Sequence, residues 1–297
     1  MKRILLVLST LVLIALLYYL FVRPFEFEAN FKAKTLPGDI IETIRLWNGS
    51  LDSARITYID SVSELKQTIV LENRSYVYDW HFVLADDSTT KINIQISEPG
   101  RGITNKLLVP FTHQAIESDA HDIVKKFYDI LMTHLEITSV KMIGVVELDS
   151  SFCACTSLQT PQIGKAHGMM RDYPLLTSFI EFHNLKADGT PNVRIQKWNH
   201  GLGLLQFEFC FPIHPTDSLP VVEGITYKKF GREKVLQAEY HGNYITSDRA
   251  WYELIQFAER NGYKITGLPI EHFYSNPNLG TNESEWKADI YLPIQDR

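Results

Sequence analysis

Cysteine is scarce in this sequence, and its scarcity excludes a broad class of folds. Three cysteines in 297 residues are too few for a disulfide framework. Cys153 and Cys155 are separated by one residue and lack the further ligands of a structural zinc site. On a strand they share one face, as small buried residues do, and a redox or metal role is the alternative. We therefore predict neither a metal nor a cofactor.

A surplus of basic charge is also missing. Lysine and arginine total 29 against 35 aspartate and glutamate residues, and the formal net charge is −6. Proteins that bind nucleic acid hold its phosphates through clustered positive side chains. We therefore expect no nucleic-acid partner.

One long apolar run is present near the N-terminus. Residues 4–22 are apolar except for two hydroxyl residues, and about 20 such residues cross a bilayer as a helix. A cleaved signal peptide is the alternative, but signal peptides end at small residues, whereas residues 17–21 are bulky. We predict an uncleaved single-pass anchor within residues 1–23 that contacts the membrane through residues 4–22. Lys2 and Arg3 favour an extracytoplasmic position for the rest of the chain.

Residues 24–148 carry the pattern of a first α+β domain. Alternating apolar positions predict strands, and an apolar stripe with helical spacing predicts a long closing helix. In order, the predicted elements are a strand at 25–34, a helix at 40–47, strands at 55–59, 67–71, 76–84 and 91–96, and a helix at 118–137.

This order resembles the START-like, or polyketide-cyclase-like (SRPBCC), helix-grip fold. The segment Phe-x-Ala-x-x-Leu-Pro-Gly-Asp-Ile-Ile-x-x-Ile-x-x-Trp-Asn, residues 31–48, is similar to the start of that family. The resemblance implies a curved sheet that wraps the last helix around a cavity. Four aromatic residues would line that cavity or, alternatively, fill a core: Trp47, Tyr78, Trp80 and Phe82.

The third predicted region, residues 149–297, contains a duplication. His167-Gly168 and His241-Gly242 open the two copies, and Pro212-Ile213 and Pro293-Ile294 close them. Each copy, at about 150–214 and 222–297, reads as strand, helix, strand, strand, with the histidines as turn residues. The predicted fold class is thus α+β: a transmembrane helix, a helix-grip domain, and a duplicated βαββ domain with pseudo-two-fold symmetry and a groove between its copies.

Residues 149–297 resemble the GyrI-like effector-binding domain of AraC- and MerR-type regulators, and the motifs that carry the resemblance lie in the second copy. The resemblance rests on spaced motifs: Gly242-x-Tyr244, Asn261-Gly262-Tyr263, Gly267-x-Pro269-x-Glu271-x-x-Tyr274 and the closing run at 290–294. It implies binding of small lipophilic or cationic molecules between two halves, with aromatic walls and a buried glutamate. Glu271 stands at the place of that glutamate, and the implied aromatic neighbours are Tyr240, Tyr244, Trp251 and Tyr274.

The closing strands give a prediction that does not depend on the family. Alternation places Glu208 on one strand, and Asp289 with Tyr291 on the other, on the sheet face turned away from the helices. If that face forms the groove, the groove is acidic and aromatic and suits a cationic amphipathic ligand. Alternatively, the carboxylates point into solvent from a half-exposed sheet.

These patterns predict a membrane-anchored protein that binds a small amphipathic, possibly cationic molecule and is not an enzyme. One alternative is a hydrolase of small xenobiotic-like molecules in which Glu271 activates water. Another is a scaffold that binds a partner protein, of unknown identity, through the groove. Neither His167 nor His241 has a nucleophile or acid at a triad-like spacing.

Overall fold

The computed structural model describes residues 2–60, 62–108, 111–112, 115–216, 218–277, 280 and 282–295. The start of the predicted anchor at residue 1 and the end of the predicted third region at residues 296–297 lie outside the described residues. The chain forms two compact units, Met1–Thr133 and His134–Arg297. The first unit begins with helix α1, Lys2–Leu17, which continues through a π-helical turn, Tyr18–Val22. Arg3–Val22 is long and apolar enough to cross a membrane, with a mean hydropathy of 2.7.

The rest of the first unit is an antiparallel sheet with three helices. The elements are β1 Phe27–Ala33, α2 Pro37–Asn48, β2 Ala54–Asp60, β3 Glu64–Leu71, β4 Arg74–Leu84, β5 Thr90–Ser97, α3 Gly102–Leu108 and α4 Ala115–Ile137. The strand order is β1-β5-β4-β3-β2. All the predicted elements are present, and α3 is an addition because its short sequence has no periodic signal.

Aromatic side chains fill the core of the first unit. Phe127 of α4 packs with its ring centroid 4.9 Å from that of Trp80 and 5.3 Å from that of Trp47. Tyr78 and Phe82 are buried on the same face of β4 as Trp80. Of the two roles predicted for these aromatic residues, the structure shows the core. The START-like assignment stays a prediction.

The second unit is built from one large antiparallel sheet and two long helices. Its elements are β6 Ser139–Leu148, β7 Ser151–Pro161, α5 Lys165–Phe182, β8 Asn192–Asn199, β9 Leu204–Pro212, β10 Thr226–Phe230, β11 Glu233–His241, α6 Arg249–Asn261, β12 Lys264–Ile265, β13 Ile270–Phe273 and β14 Lys287–Gln295. The strand order is β10-β7-β9-β8-β13-β14-β11-β6, and β12 pairs with β14.

Each half of this unit has the predicted order of strand, helix, strand and strand. The first half is β7-α5-β8-β9 and the second half is β11-α6-β13-β14. In the sheet the halves meet at β8 and β13. β6 and β10 were not predicted, and β6 lies in the second unit although the predicted boundary, at 148, assigns it to the first domain. β6 precedes the first half along the chain but pairs with β11 of the second half, and β10 precedes the second half but pairs with β7 of the first. Local sequence patterns do not reveal such pairing.

The residue pairs that open and close the two copies in the sequence occupy equivalent structural positions only in part. Pro212 pairs with Cys153 and Pro293 pairs with Val235, so the closing prolines lie opposite the first strand of their own halves. His167, in contrast, lies within α5, whereas His241 ends β11. The prediction that both histidines are turn residues is therefore wrong, since His241 is the last paired residue of β11, opposite Lys287 and Ser139. The glycines differ as well, because a Cβ at Gly168 would lie 2.8 Å from Leu158, whereas Gly242 has a positive φ of 136°.

Chain connectivity shows that the large sheet is rolled. Leu148 of β6 and Ser151 of β7 are three residues apart, at most about 11 Å, yet five strands lie between β6 and β7 in the sheet. A flat sheet would separate them by roughly 29 Å. Arg232, in the turn between β10 and β11, closes the roll with ion pairs to Asp149 (2.8 Å) and Glu147 (3.4 Å).

The two faces of the rolled sheet differ in character. Arg194, in the central strand β8, reaches Phe230 of β10 and Glu233 of β11, so its face lies inside the roll; we call this the inner face. Helices α5 and α6 cover the other face, the outer face. The main apolar core lies there and includes Phe207, Leu236 and Ile290 from the sheet and Leu176, Trp251 and Leu254 from the helices.

A disulfide bond crosses the inner face of the first half. Cys155 of β7 and Cys210 of β9 are direct cross-strand partners, with their Cα atoms 4.1 Å apart. Cys153 is a buried free thiol beside them. Cys153 and Cys155 are both buried, as the sequence predicts. The disulfide bond of Cys155 was not predicted, because its partner lies 55 residues away along the chain.

Candidate functional site

A cavity of about 200 Å³ opens in the second unit beside the first turns of α5. Its walls come from both halves, since α5 and β9 belong to the first half and β13 to the second. The wall is mainly apolar and contains five aromatic residues: Tyr173, Phe209, Tyr244, Phe273 and Trp286. Met169 and Met170 add flexible apolar surface. Among the described wall residues, His167 and Glu283 are the ionisable ones apart from tyrosines.

Tyr244 is the aromatic residue that is held most firmly in the wall. It lies in a 3₁₀ turn, Tyr244–Thr246, that precedes α6. Its hydroxyl donates to the Lys287 carbonyl (2.7 Å) and accepts from the Ser275 amide (3.0 Å). Its ring centroid is 4.7 Å from that of Phe273. Burial raises the pKa of Tyr244, so this residue presents a neutral, fixed ring to the cavity.

Behind the cavity, Glu271 is the centre of a buried network that also contains Lys165, Ser247 and Trp251. The Lys165 ammonium lies 2.6 Å from Oε1 of Glu271 and also contacts Oε2. Trp251 Nε1 donates to Oε1 (2.6 Å), and Ser247 Oγ lies 3.0 Å from Oε2. Lys165 and Glu271 are 0% exposed. Both carboxylate oxygens are therefore engaged, and the ammonium offsets the negative charge.

The same region joins the two halves through a second set of hydrogen bonds. The Gln162 side chain, just before α5, donates to Asp248 and to the Tyr252 hydroxyl (3.2 Å), both of the second half. Trp198 of β8 donates to the Gln162 carbonyl oxygen (2.7 Å). These hydrogen bonds connect the N-terminal ends of α5 and α6. Because a hydrogen-bonded network holds its members in a defined geometry, they fix the two helix ends beside the cavity.

Glu208 and Asp289 lie on the inner face, the face to which alternation assigned them. Both are buried, at 3% and 6% exposure. Glu208 pairs with Lys228, and Asp289 accepts a hydrogen bond from the Tyr274 hydroxyl (2.7 Å). Tyr291 is buried beside Asp289, and burial raises its pKa to about 12. Neither carboxylate lines the cavity or points into open solvent, because the roll of the sheet covers them.

His272 occupies the inner face of β13, where its ring centroid is 5.1 Å from that of Tyr291. Burial and, to a smaller extent, the positive charge of Arg194 lower the pKa of His272 to about 4. An unfolded chain binds this proton with a pKa of about 6.5. The folded state therefore binds the proton more weakly, and the stability that neutral His272 contributes is lost as the pH falls from about 6.5 towards 4.

This linkage gives a testable pH dependence. Between pH 7 and pH 5 we expect His272 to lower the free energy of unfolding of the second unit by about 2 kcal/mol. Urea unfolding of the full chain in detergent, followed by tryptophan fluorescence, would measure it. His272→Gln, which does not titrate, should show a loss smaller by that amount. Equal losses in the two proteins would contradict the assignment.

The structure separates the predicted site residues into three groups. Tyr244 lines the cavity. Glu271 and Trp251 lie in the buried network, with Tyr240 in the core nearby, where its hydroxyl donates to the Asn243 carbonyl (2.8 Å). Glu208, Asp289 and Tyr291 belong to the inner face, together with the Tyr274 hydroxyl. The sequence did not predict Lys165 or the wall residues Phe209 and Phe273 as parts of the site. Phe273 could have been predicted, because alternation along β13 places it on the same face as Glu271.

Comparison with known proteins identifies a family for part of the second unit. Residues 202–295 match the family model described as GyrI-like small molecule binding domain. This match runs from β9 to β14 and includes Phe209, Tyr244, Phe273 and Trp286 of the cavity wall. It confirms the GyrI-like resemblance for these residues. No curated protein matches the chain.

Several solved structures resemble about half of the chain. They include the C-terminal domain of EcmrR, SAV2435 bound to tetraphenylphosphonium, and a hydrolase from Listeria innocua. Their TM-scores are 0.45, 0.38 and 0.34, at 15%, 11% and 12% sequence identity. The alignments cover 54%, 51% and 52% of this chain and 99%, 92% and 93% of those chains, respectively.

The described residues offer no group of three or more histidine, cysteine, aspartate or glutamate side chains that would hold a metal ion. The cavity itself offers apolar contact with aromatic rings and a few polar side chains in its wall.

Proposed function

We propose that this chain is a membrane-anchored protein that binds a small lipophilic or amphipathic molecule in the aromatic cavity of its second unit. The observation that carries the proposal is the cavity itself, whose walls come from both halves and lie largely within the GyrI-like match. Ligand sites are typically apolar concavities with a few placed polar groups. The cavity has that character, and it replaces the predicted acidic groove as the candidate site.

The dimensions of the cavity limit the ligand. An apolar cavity of about 150 Å³ accommodates one benzene ring, and this cavity measures about 200 Å³. The ligand that fits is a molecule of one or two small rings, or a larger one whose polar end remains outside. Asn243 and Ser275 at the cavity wall can bind such a polar end.

Two features support the location that we propose for the protein. The apolar helix Arg3–Val22 supports anchoring by a single span. The Cys155–Cys210 disulfide supports an oxidising compartment for the second unit, since such bonds are rare where thiols are kept reduced. Together with Lys2 and Arg3 before the apolar run, these features support an extracytoplasmic body.

Nothing in the network favours the hydrolase alternative. A general base must reach the proton that it abstracts, and both oxygens of Glu271 are occupied by Lys165, Ser247 and Trp251. Glu271 is also 0% exposed. We therefore propose binding without catalysis.

The test blocks the cavity with one substitution. His167 is exposed and lines the cavity, so in His167→Trp the indole should fill the opening and weaken binding of tert-butylbenzene at least about tenfold. Ser178→Trp, on an exposed position of the same helix outside the cavity, is the matched control. Binding is measured by thermal shift of the full chain in detergent, since a ligand at about 100 times its Kd stabilises by about 2.7 kcal/mol. Equal shifts in the two variants would contradict the proposal.

A further inference from the structure

The buried network lies directly behind the cavity wall. Lys165 precedes Ala166 and His167, which both line the cavity. Glu271 and Phe273 are alternate residues of β13, so their side chains share one face about 7 Å apart. The Ser247 hydroxyl, which lies 3.0 Å from Oε2 of Glu271, is also 3.0 Å from the carbonyl oxygen of Tyr244, another wall residue. A charge on Glu271 would therefore act on a molecule in the cavity.

The negative charge of Glu271 is already balanced by the ammonium of Lys165 within the protein. The Lys165 ammonium contacts both oxygens of Glu271 and lies 4.9 Å from the centroid of the Trp251 ring. A carboxylate and an aromatic face are the two groups that attract a cationic ligand. Here the ammonium of the chain itself occupies the position between them, so the network presents a neutral boundary to the cavity. Glu283, the carboxylate among the described wall residues, is exposed, so solvent screens its charge.

We infer that the cavity selects uncharged lipophilic molecules over cations of the same shape, and that Lys165 is the residue that sets this preference. The inference rests on the proposed binding function. It differs from the cationic ligand that the sequence suggests, because the sequence pattern contains Glu271 without its partner. An unpaired carboxylate about 7–10 Å from the ligand, at an effective dielectric constant of about 20, would favour a cation roughly 15- to 50-fold, and Lys165 removes that attraction.

The experiment uses two probes that have the same shape and differ in one charge: tert-butylbenzene and phenyltrimethylammonium. Their affinities for the full chain in detergent are measured by equilibrium dialysis against free aqueous concentrations. The wild-type protein should bind the uncharged probe at least about tenfold more tightly. Lys165→Met should raise the affinity for the cation by about 10- to 50-fold and leave that for tert-butylbenzene within about threefold. The double variant Lys165→Met, Glu271→Gln should not show this increase in affinity for the cation.

The outcomes separate the two proposals. If the wild type binds the cation as tightly as tert-butylbenzene, or if folded Lys165→Met gains no cation affinity while tert-butylbenzene still binds, the inference about Lys165 is overturned and the binding function stands. If neither probe binds the wild type, both fail. Folding of each variant is checked by the protection of the buried Cys153 thiol. Should Lys165→Met not fold, Glu271→Gln takes its place: it leaves the Lys165 ammonium unmatched, so it should weaken binding of the cation by about 10- to 50-fold and leave that of tert-butylbenzene within about threefold. Unchanged affinity for the cation would overturn the inference.

Discussion

Replacing Lys165 with methionine should lower the free energy of unfolding of the second unit by about 3–5 kcal/mol, because breaking one side of a buried ion pair leaves an uncompensated charge. Glu271 would keep its bonds from Trp251 and Ser247 (2.6 and 3.0 Å) but lose the ammonium that contacts both of its oxygens. Since whole domains are stable by only about 5–15 kcal/mol, this is a large part of the total.

The reactivity of the Cys153 thiol reports the stability of the second unit within the full chain. Cys153 is buried and becomes accessible to a thiol reagent when the surrounding sheet opens. The Cys153 thiol of Lys165→Met should react with the reagent faster than that of the wild type. The ratio of the two rates should correspond to the loss of free energy of unfolding. Lys229→Met, at an exposed lysine of β10, is the control and should change stability by at most about 0.5 kcal/mol.

A double-mutant cycle isolates the pair. In Lys165→Met, Glu271→Gln the amide can still accept from Trp251 and donate to Ser247, and no net charge remains buried. We expect the double variant to be more stable than Lys165→Met alone. A double variant that loses the sum of the two single effects would show that the two side chains do not interact.

Loss of the Cys155–Cys210 disulfide is the second change with a large expected effect. The bond closes a loop across a sequence separation of 55. The chain-entropy relation for such a loop gives about 4 kcal/mol of stabilisation, through constraint of the unfolded chain. Cys155→Ala, Cys210→Ala should lower the urea midpoint of the tryptophan fluorescence transition accordingly. Cys153→Ala is the control, because its thiol takes no part in the bond.

Thiol counting checks the bond itself. After denaturation without reductant, one cysteine of the chain, Cys153, should react with an alkylating reagent, and after reduction all three should react. Three reactive thiols in unreduced protein would contradict the bond and remove the support that it gives to an extracytoplasmic location.

The strands and helices with clear periodicity could be predicted from the sequence. β4 and β5 alternate buried and exposed residues along their length, and α4 carries its apolar residues at helical spacing. β6 and β10 could not be assigned in the same way. Their partners, β11 and β7, lie far away along the chain, and the exchange between halves depends on the roll of the whole sheet.

The candidate site was predicted less completely for a related reason. Motif spacing located Glu271, but a lysine at the start of a helix reads as a solvated residue, since lysine is almost never fully buried unless it is paired. The small and apolar neighbours of Lys165, Ile163, Gly164 and Ala166, were the available signal. Tyr244 was predicted and lines the cavity, whereas Met169 and Tyr173 come from a helix outside the family motif.

The exchange of β6 and β10 makes neither half of the second unit self-sufficient. β6 precedes the first half along the chain but completes the edge of the second half, and β10 does the reverse. A half cut from the chain would keep open strand edges, which recruit other strands. Two identical halves could satisfy one another only by associating, so the second unit has the connectivity of a dimer fused into one polypeptide. Fusion replaces an association that depends on concentration with an intramolecular one, which keeps the two walls of the cavity together however dilute the protein is.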